Sequence, residues 1–577
     1  MVKKHKYIFV VGGVMSGVGK GIASSSIGKI LQSKGFKVNP IKVDPYLNVD
    51  AGNMNPTEHG EVFVLDSGLE TDQDMGNYER FLETDLDDGD YMTSGMIYKH
   101  VIEKERNLGY RGKCVEAIPH ITDEILRRWK KSAETHLSDI SIIEIGGTIG
   151  DYQNALFIES ARTLKIKYPQ DVMFVMVSYL PIPGSLGEMK TKPTQNAVRQ
   201  LNSYGVQPDM IIARGAQPID FKRKEKIAFA CAIQPENVIS APDIESIYDV
   251  PLNFEKDRIS SVIMKTLHMR TKSHNGELDE WRKFVCKRKN AKRELKIAVV
   301  GKYFDTGDFV LSDAYVSVIE AVKFSSYWND SRTCLSWINS KEYEADPKKI
   351  SELKNYDGII VPGGFGESGI EGVIMAIEFA RKNKIPYLGL CYGMQLAVIE
   401  FCRNIIGWKD AHTAEINPKS SHVVIDIMPE QKKLLEENKY GATMRLGAYP
   451  AFLKNGTIAL DAYKKSNLVA DEATISERHR HRYEVSPDYI AEIEKAGLVF
   501  SGTSPDGRLM EIAELPKSVH PFFLGTQFHP EFKARPLHPH PLFTAFIEAC
   551  INKNSQIRPI SSSKILKISP NVPNVHL

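Results

Sequence analysis

The 577-residue sequence lacks three features that would each have assigned it to a class of protein. Its seven cysteines are an odd number without a CxxC pair, which argues against a disulfide framework and a zinc site and favours a reducing, cytoplasmic environment. Its 74 basic and 72 acidic residues nearly cancel, so no global charge attracts nucleic acid. No apolar run approaches the roughly 18 residues of a membrane span. We expect a soluble protein that binds neither nucleic acid nor a membrane.

The sequence does contain material for two folded domains. Hydrophobic residues make up 42% and charged residues 25%, as in average globular proteins, and the length exceeds what one core usually organises. A polar stretch that ends in the basic run 287–293 indicates a solvated connector. We predict domains at 1–265 and 295–551, a linker at 266–294 and a mobile tail at 552–577.

Short buried strands alternate with helical patterns in both halves. An apolar run at 7–11, too short for a secretory signal, precedes a glycine-rich turn and a helix, and a second strand follows at 37–43. This order is typical of a βαβ unit. Further strand candidates lie at 140–145, 172–177, 210–213, 295–300, 358–361 and 386–390. The predicted fold class is α/β, with two doubly wound α/β domains.

The turn at 12–21 has the composition of a phosphate-binding loop. Small residues allow backbone N–H groups to approach phosphate oxygens, and the following helix N-terminus favours anions. Lys20 adds a point charge. The loop departs from a Walker A sequence because Gly21 replaces the Ser or Thr that usually follows the lysine. It therefore predicts nucleotide binding, with an ordinary tight turn as the alternative.

A nucleophile elbow is predicted around Cys391, which follows the strand 386–390 and lies in the pattern G-x-C-x-G. A thiol at a helix N-terminus is favoured as thiolate. Downstream, His529 could activate it and Glu531 could orient that histidine, while Gly364 could supply an oxyanion-hole amide. Each motif alone is also compatible with a purely structural role.

Together these motifs resemble class I glutamine amidotransferase domains, which release ammonia from glutamine through a Cys-His-Glu triad. The resemblance implies that the C-terminal domain is of this kind and that the catalytic residues are Cys391, His529 and Glu531. It also implies glutamine contacts at Gly364, Tyr392, Gly393, Met394, Gln395, Glu415 and Arg482.

The N-terminal half resembles CTP synthases. Its motifs at 44–50, 59–64, 70–74, 118–122, 144–148 and 190–195 are similar to those of the family, and the match continues collinearly from about residue 7 to 546. The resemblance implies a P-loop-type synthetase domain at the N-terminus. It also implies ATP-dependent amination of UTP to CTP, the last step of de novo CTP synthesis, through a 4-phosphorylated UTP and with ammonia from glutamine.

The resemblance also implies the residues of the synthetase site. Mg²⁺ would be held by Asp74 and Glu144, while Lys20 and Lys42 would offset phosphate charge. The ATP site would comprise Gly17, Val18, Gly19, Lys20, Gly21, Ile22, Lys42, Asp74, Arg214, Pro242, Asp243 and Ile244. The UTP or CTP site would comprise Ser16, Asp151, Tyr152, Gln153, Lys190, Thr191, Lys192, Pro193, Thr194, Gln195 and Lys226.

Regulation and assembly follow from the resemblance as expectations. They are activation by GTP, feedback inhibition by CTP, a homotetramer and, in some members, filaments; His59 would line an ammonia passage. Two positions depart from the family pattern, Gln153 in place of a usual glutamate and Glu116 in place of a usual glutamine. Because amide and carboxylate differ as donors and acceptors, we hypothesise altered inhibition by CTP.

Two other functions compete with this interpretation. A different glutamine-dependent amidoligase with a related P-loop domain would share the amidotransferase motifs, although the motif at 190–195 argues against it. A subunit kept mainly for assembly would tolerate loss of Lys20, whereas the enzyme would not. The basic stretches 287–293 and 478–482 could each bind nucleic acid, but a solvated face is the simpler explanation.

Overall fold

The computed structural model describes residues 5–54, 60–184, 187–272, 277–301, 312–427, 444–469 and 473–553. The chain forms two compact units. Of the described residues, the first unit contains those from 5 to 51 and from 74 to 285, and the second contains those from 52 to 73 and from 286 to 553. Among the described residues, no helix is both long and apolar enough to cross a membrane. Most of the predicted tail, and His59, lie outside the described residues.

The described strands, numbered along the chain, are β1 Lys6–Gly13, β2 Val38–Asp44, β3 Phe63–Val64, β4 Glu70–Thr71, β5 Tyr91–Thr93, β6 Ile140–Ile145, β7 Val172–Tyr179, β8 Met210–Gly215, β9 Val238–Pro242, β10 Arg293–Gly301, β11 Ser331–Asn339, β12 Gly358–Val361, β13 Tyr387–Leu390, β14 His412–Thr413, β15 Val423–Ile427, β16 Arg445–Leu453, β17 Thr474–His481, β18 Tyr483–Val485, β19 Val499–Thr503, β20 Met510–Glu514 and β21 Phe523–Thr526. The described α-helices are α1 Lys20–Ser33, α2 Gln73–Leu82, α3 Ser94–Arg106, α4 Thr122–Thr135, α5 Ala155–Lys167, α6 Lys192–Ser203, α7 Phe221–Cys231, α8 Val250–Lys256, α9 Ile259–Thr266, α10 Glu277–Asn290, α11 Val316–Trp328, α12 Lys341–Ala345, α13 Ile370–Lys382, α14 Tyr392–Phe401, α15 Ile458–Lys465, α16 Ile490–Lys495 and α17 Pro541–Lys553.

The first unit is built on a parallel sheet with the strand order β5-β2-β6-β1-β7-β8-β9. Its central strands are buried on both faces, which explains their continuous apolar runs. Phe9 stacks on Phe174 and packs against Trp129 in the core. The predicted α/β fold is confirmed. Ligands bind parallel sheets at the carboxyl ends of the strands, where the loops after β1, β2, β6, β8 and β9 lie.

The second unit is also α/β, with a nine-stranded sheet in the order β11-β10-β12-β13-β21-β20-β19-β16-β17. The five strands β11, β10, β12, β13 and β21 are parallel, and the remaining four continue the sheet in antiparallel pairs. The parallel part presents the end of β13, from which the chain enters α14 through Cys391. The antiparallel part ends at β17.

The structure differs from the predicted domain boundaries at two places. Residues 52–54 and 60–73, which the prediction gave to the first domain, pack within the second unit. The predicted solvated linker contains α10, and its Trp281 is fully buried, donates from Nε1 to Tyr248 O at 2.8 Å and contacts Phe81. Leu278, Trp281 and Phe284 are spaced so that they lie on one face of the helix, and this face is buried. The charged residues around them hide this apolar pattern in the sequence.

Candidate active sites

The phosphate loop of the first unit is a tight backbone turn between β1 and α1. Val14, Gly17 and Gly19 have φ values of 80°, 71° and 81°, in the left-handed region that glycine adopts most readily. Gly19 precedes the first residue of α1, so its neighbours present the unpaired N–H groups of a helix N-terminus. An added Cβ at Gly12 would lie 3.0 Å from Gly147 O. The loop therefore has the shape that anion binding needs.

Lys20 is buried at the first position of α1, and its Nζ donates to Gly147 O at 2.9 Å. Burial lowers the pKa of Lys20, against the attraction of Glu144 and Asp74. Among the described residues, Gly147 O is the one hydrogen-bond acceptor of this buried ammonium, which is therefore suited to receive a phosphate oxygen as well.

A cluster of opposite charges lies beside this loop. Lys42 Nζ donates to Asp74 in a short bond and to Glu144 Oε1 at 3.1 Å, and it lies 3.7 Å from Asp44 Oδ1. Tyr78 OH donates to the other oxygen of Glu144. Burial would raise the pKa of Asp74, but Lys42 holds it below its ordinary value, whereas burial raises the pKa of Glu144. Two carboxylates beside a phosphate loop form the oxygen donor set that Mg²⁺ prefers, so these residues fit the ion.

The departure of Gly21 from the Walker A pattern has a steric cause. A Cβ at this position would lie 2.1 Å from Asp74 Oδ1 and 2.7 Å from its Cγ. The carboxylate of Asp74 thus occupies the space that the Ser or Thr side chain takes in a Walker A loop. The structure places an acidic side chain, supplied from elsewhere in the chain, where that hydroxyl would be.

An apolar cleft lies between α1 and the ends of β8 and β9. The predicted ATP residues Gly19, Ile22, Arg214, Pro242 and Ile244 line it together, and Val177, Ile212, Val250 and Phe254 complete its walls. Arg214 donates to Asp243 Oδ1 at 3.0 Å, which fixes the guanidinium beside the loop. The open space between these walls is about 20 Å³, much less than the roughly 300–1,000 Å³ of a ligand pocket, so the cleft shows that the predicted ATP residues meet here but is not an open base site.

The residues predicted to contact UTP divide into exposed and supporting groups. Asp151, Tyr152 and Gln153 are exposed, and Asp151 Oδ2 accepts from Thr148 N at 2.6 Å. Ser16 and Lys192 are also exposed, whereas Pro193 is half-buried at the start of α6.

The remaining members of this group include three buried polar side chains, those of Thr191, Thr194 and Gln195. Thr194 Oγ1 lies 2.8 Å from Ser178 Oγ, and Gln195 donates to Thr191 Oγ1 at 3.2 Å. These bonds support the start of α6. Lys190 donates to Glu188 at 2.8 Å, and Lys190 and Lys226 both lower the pKa of that glutamate. Two lysines thus lie near one carboxylate.

The nucleophile elbow of the second unit is present. Cys391 has φ 50° and ψ −97° between β13 and α14, a strained conformation that turns the chain sharply. A Cβ at Gly393 would lie 2.3 Å from Val361 O, and one at Gly389 would lie 2.6 Å from Tyr387 OH. Both glycines of the G-x-C-x-G motif are therefore required by close packing.

Cys391, His529 and Glu531 come together at this elbow. His529 Nδ1 donates to Glu531 Oε1 at 2.8 Å, and an added Cβ at Gly363 would lie 3.0 Å from His529 Cε1 and 3.9 Å from Cys391 Cβ. Burial would lower the pKa of His529, but Glu531 and Cys391 raise it to about 10. His529 Nε2 is buried with no hydrogen-bond partner among the residues that the structure describes. This nitrogen is available for proton transfer.

A cavity of about 410 Å³ opens in front of Cys391. Five predicted glutamine contacts line it, namely Gly364, Tyr392, Gln395, Glu415 and Arg482. Glu415 accepts from Gly366 N at 2.9 Å, and Tyr392 donates to Gly366 O at 3.1 Å. These bonds hold the glycine turn that follows β12.

Two predicted glutamine contacts have a different place. Gly393 packs against the backbone of Val361, and the side chain of Met394 is fully buried beside Gly525. Neither is among the lining residues of the cavity. The sequence motif could not separate them from their neighbours, because consecutive helical residues point in different directions.

Several residues of this site were not predicted. Gln527 Nε2 donates to Cys391 Sγ at 3.7 Å, and Tyr315 OH donates to Gly363 O at 3.3 Å. Gln527 lies two residues before His529, so its position next to the triad motif was a usable signal. Glu61 and Val62 line the same cavity from a distant part of the sequence, and only folding brings them there.

A family model described as CTP synthase N-terminus matches residues 6–269, and one described as Glutamine amidotransferase class-I matches residues 310–549. A CTP synthase of Caldanaerobacter subterraneus subsp. tengcongensis is 48% identical over 549 residues, which are 95% of this chain and 98% of the relative. One of Pyrococcus abyssi is 48% identical over 546 residues, which are 94% and 97%.

Among solved structures, a similar chain is the glutaminase domain of Trypanosoma brucei CTPS with bound acivicin. It is 36% identical and covers 46% of this chain and 96% of its own, with a TM-score of 0.40.

Proposed function

This chain belongs to the CTP synthase family, and from that premise we propose how its two units divide the work of aminating UTP. It is a ligase that converts UTP to CTP with ATP and the amide nitrogen of glutamine. The first unit is the synthetase that binds ATP and UTP, and the second is the glutaminase. The observation that carries this division is the meeting of Cys391, His529 and Glu531 at an elbow in the second unit.

In the glutaminase reaction, Cys391 Sγ attacks the amide carbon of glutamine and forms a thioester. The oxyanion that develops is stabilised by backbone amides at Gly364 and after Cys391. His529 Nε2 gives a proton to the leaving ammonia and then takes one from the water that releases glutamate. Glu531 keeps the imidazole in the required tautomer through its bond to Nδ1. Arg482 in the cavity wall is suited to the carboxylate of the substrate.

In the synthetase reaction, the γ-phosphoryl group of ATP passes to O4 of UTP, which converts a poor leaving group into phosphate. Ammonia then replaces this phosphate at C4. Lys20 and Lys42 offset the charge of the phosphates, and Arg214 with the apolar cleft holds the adenine nucleotide. Asp74 and Glu144 would hold Mg²⁺, which supplies charge neutralisation at the phosphates when it is bound.

Regulation, assembly and location are proposed on the family membership alone. We expect activation by GTP, inhibition by CTP, a homotetramer, filaments of the kind formed by some members of the family, and a cytoplasmic location. Light scattering with and without nucleotides measures the assembly. Initial rates with added GTP, using glutamine and then ammonium as nitrogen source, show whether activation acts on the glutaminase.

The division of labour is tested by assaying wild type and Cys391→Ala with UTP, ATP and Mg²⁺, supplying either glutamine or ammonium. We expect CTP from both nitrogen sources in the wild type and from ammonium alone in the variant. Glutamine hydrolysis without CTP from any nitrogen source would remove UTP as the acceptor. Unchanged glutamine-dependent synthesis in the variant would remove Cys391 from the reaction.

A further inference from the structure

A short hairpin from the first part of the chain is built into the glutaminase unit. Residues 60–72, here called the 60–72 segment, contain β3 and β4, which pair antiparallel. Its Gly68 interlocks with Gly447, since a Cβ at Gly68 would lie 2.9 Å from Leu446 O and one at Gly447 would lie 2.6 Å from Asp66 O. Ala448 N donates to Asp66 O at 2.8 Å. The segment is therefore closely packed against the start of β16.

Two arginines of the edge strand β17 bind this segment through their side chains. Arg478 donates to Asp66 in a short bond and to Val64 O at 3.2 Å. Arg480 Nε donates to Glu70 Oε1 at 2.8 Å. The two arginines lie two residues apart on one strand, so their side chains project to the same face. The segment thus holds β17 at two points.

The backbone of the same two arginines contacts the catalytic residues. His529 N donates to Arg478 O at 2.8 Å, and Cys391 Sγ lies 3.8 Å from Arg480 O, which it contacts as a donor. Each arginine therefore binds an acid of the 60–72 segment with its side chain and a member of the catalytic pair with its carbonyl. A shift of β17 along its axis would move both contacts.

The ion pair between Arg478 and Asp66 lies where an unpaired charge would be costly. Arg478 is fully buried and Phe63 lies 5.4 Å from its guanidinium, while the pKa of Asp66, which burial would raise, is held below its ordinary value by Arg478 and Lys533. Removing one partner of such a pair leaves a buried charge uncompensated. Phe63 also contacts Phe532, whose ring stacks on His529 at 5.2 Å.

We propose that Asp66 and Glu70 are positioning residues for glutamine hydrolysis. They hold β17 so that its two carbonyls place Cys391 and His529 at reacting distance. This inference rests on the proposed role of Cys391 as the nucleophile. Neither acid lines the substrate cavity. Each one therefore acts on the catalytic pair through the arginine that it binds, Arg478 or Arg480.

Glu70→Gln is the main test, because it removes the charge and keeps the shape of the side chain. We expect kcat for glutamine-dependent CTP synthesis to fall about tenfold with little change in the KM for glutamine, since small misplacement of reacting groups lowers the rate of the chemical step. Ammonium-dependent synthesis should stay within about twofold of wild type, as it bypasses Cys391. Glu70→Asp keeps the charge and should restore part of the lost rate.

The matched control is Glu494→Gln, which removes the charge of the ion pair between Lys454 and Glu494, 2.6 Å apart in the same unit. This change should leave both rates as in wild type. Equal losses in the two glutamate-to-glutamine variants, or equal losses with glutamine and ammonium in Glu70→Gln, would assign Glu70 a general structural role and overturn the proposal. So would full glutamine-dependent activity in Glu70→Gln.

The alkylation rate of Cys391 by iodoacetamide, followed across pH, gives a readout that does not depend on CTP. A displaced Cys391–His529 pair should show a changed alkylation profile, because the sulfur no longer lies beside the imidazole. If the wild type made no CTP at all, the proposed function would fail, yet this alkylation profile would still decide between wild type and Glu70→Gln. An unchanged profile would overturn the positioning role. Asp66→Asn should alter the profile in the same direction as Glu70→Gln.

Discussion

Gly21→Ala is the smallest change that tests the synthetase site, because it adds one methyl group where the carboxylate of Asp74 lies. The new Cβ would lie 2.1 Å from Asp74 Oδ1, well inside the 3.0 Å that real Cβ contacts keep. The carboxylate must therefore withdraw by about 1 Å, and displacements of this size at a reacting centre can cost about 10²-fold in rate. Asp74 cannot move freely, since Lys42 holds it in a short bond.

The assay is ammonium-dependent CTP formation, which needs the synthetase site but not Cys391. We expect Gly21→Ala to lower it on the order of 10²-fold while glutamine hydrolysis without nucleotides stays near wild type. The control is Gly28→Ala on the same helix, where the new Cβ would lie 2.8 Å from Leu82 Cδ2, the end of an apolar side chain. That variant should lose about 1–3 kcal/mol of stability through overpacking and keep its activity. Wild-type kcat/KM in Gly21→Ala would refute the steric argument.

Three further predictions concern the triad, the elbow and the pyrimidine contacts. Glu531→Gln should lower glutamine-dependent kcat on the order of 10²- to 10⁴-fold, because the imidazole loses its orienting acceptor, with ammonium-dependent synthesis as the internal control. His529 has a folded pKa raised to about 10, so its contribution to stability is full below about pH 6.5 and is lost as pH rises towards 10. In Glu531→Gln the folded pKa of His529 should be lower, so melting curves should show a smaller loss that is complete at a lower pH, and identical curves for the two proteins would contradict it. Gly393→Ala should destabilise the second unit by about 1–3 kcal/mol and abolish glutamine hydrolysis, since its Cβ would lie 2.3 Å from Val361 O, and normal hydrolysis would exclude the packing argument. Gln153→Glu and Glu116→Gln introduce the residues that the resemblance to CTP synthases implies at these positions, and they should change the inhibition constant of CTP measured against UTP. An inhibition constant that stays the same in both variants would remove these residues from the pyrimidine contacts.

Local sequence was sufficient for the elements that carry the chemistry. The run before Gly12 predicted β1, and the glycine spacing around Cys391 predicted the elbow, because both patterns reflect backbone geometry within a few residues. The alternation of strands and helices likewise predicted the two α/β sheets.

Other features were hidden from local patterns. Charged residues in α10 mask its apolar positions, which include Trp281, so the sequence predicts a solvated connector where the structure has a packed helix. The resemblance to the family implies a glutamine contact at Met394, and the structure shows that the side chain of this residue is fully buried beside Gly525. The assignment of residues 60–72 to the first domain failed to anticipate where they pack, since ion pairs such as Asp66 with Arg478 join positions far apart in the sequence.

The α/β architecture, the turn of the phosphate loop and the elbow can be predicted from the sequence, because each depends on spacing within one segment. The triad remains a prediction that rests on the resemblance of several separate motifs to class I glutamine amidotransferases. The folded structure is needed to see why Gly21 replaces a hydroxyl residue and which side chains line the glutamine cavity. The folded structure also shows that β17 contacts both the 60–72 segment and the catalytic pair. The physical reason is that steric exclusion, burial and ion pairing depend on distances in space, and residues far apart in the chain become neighbours only when the sheets form.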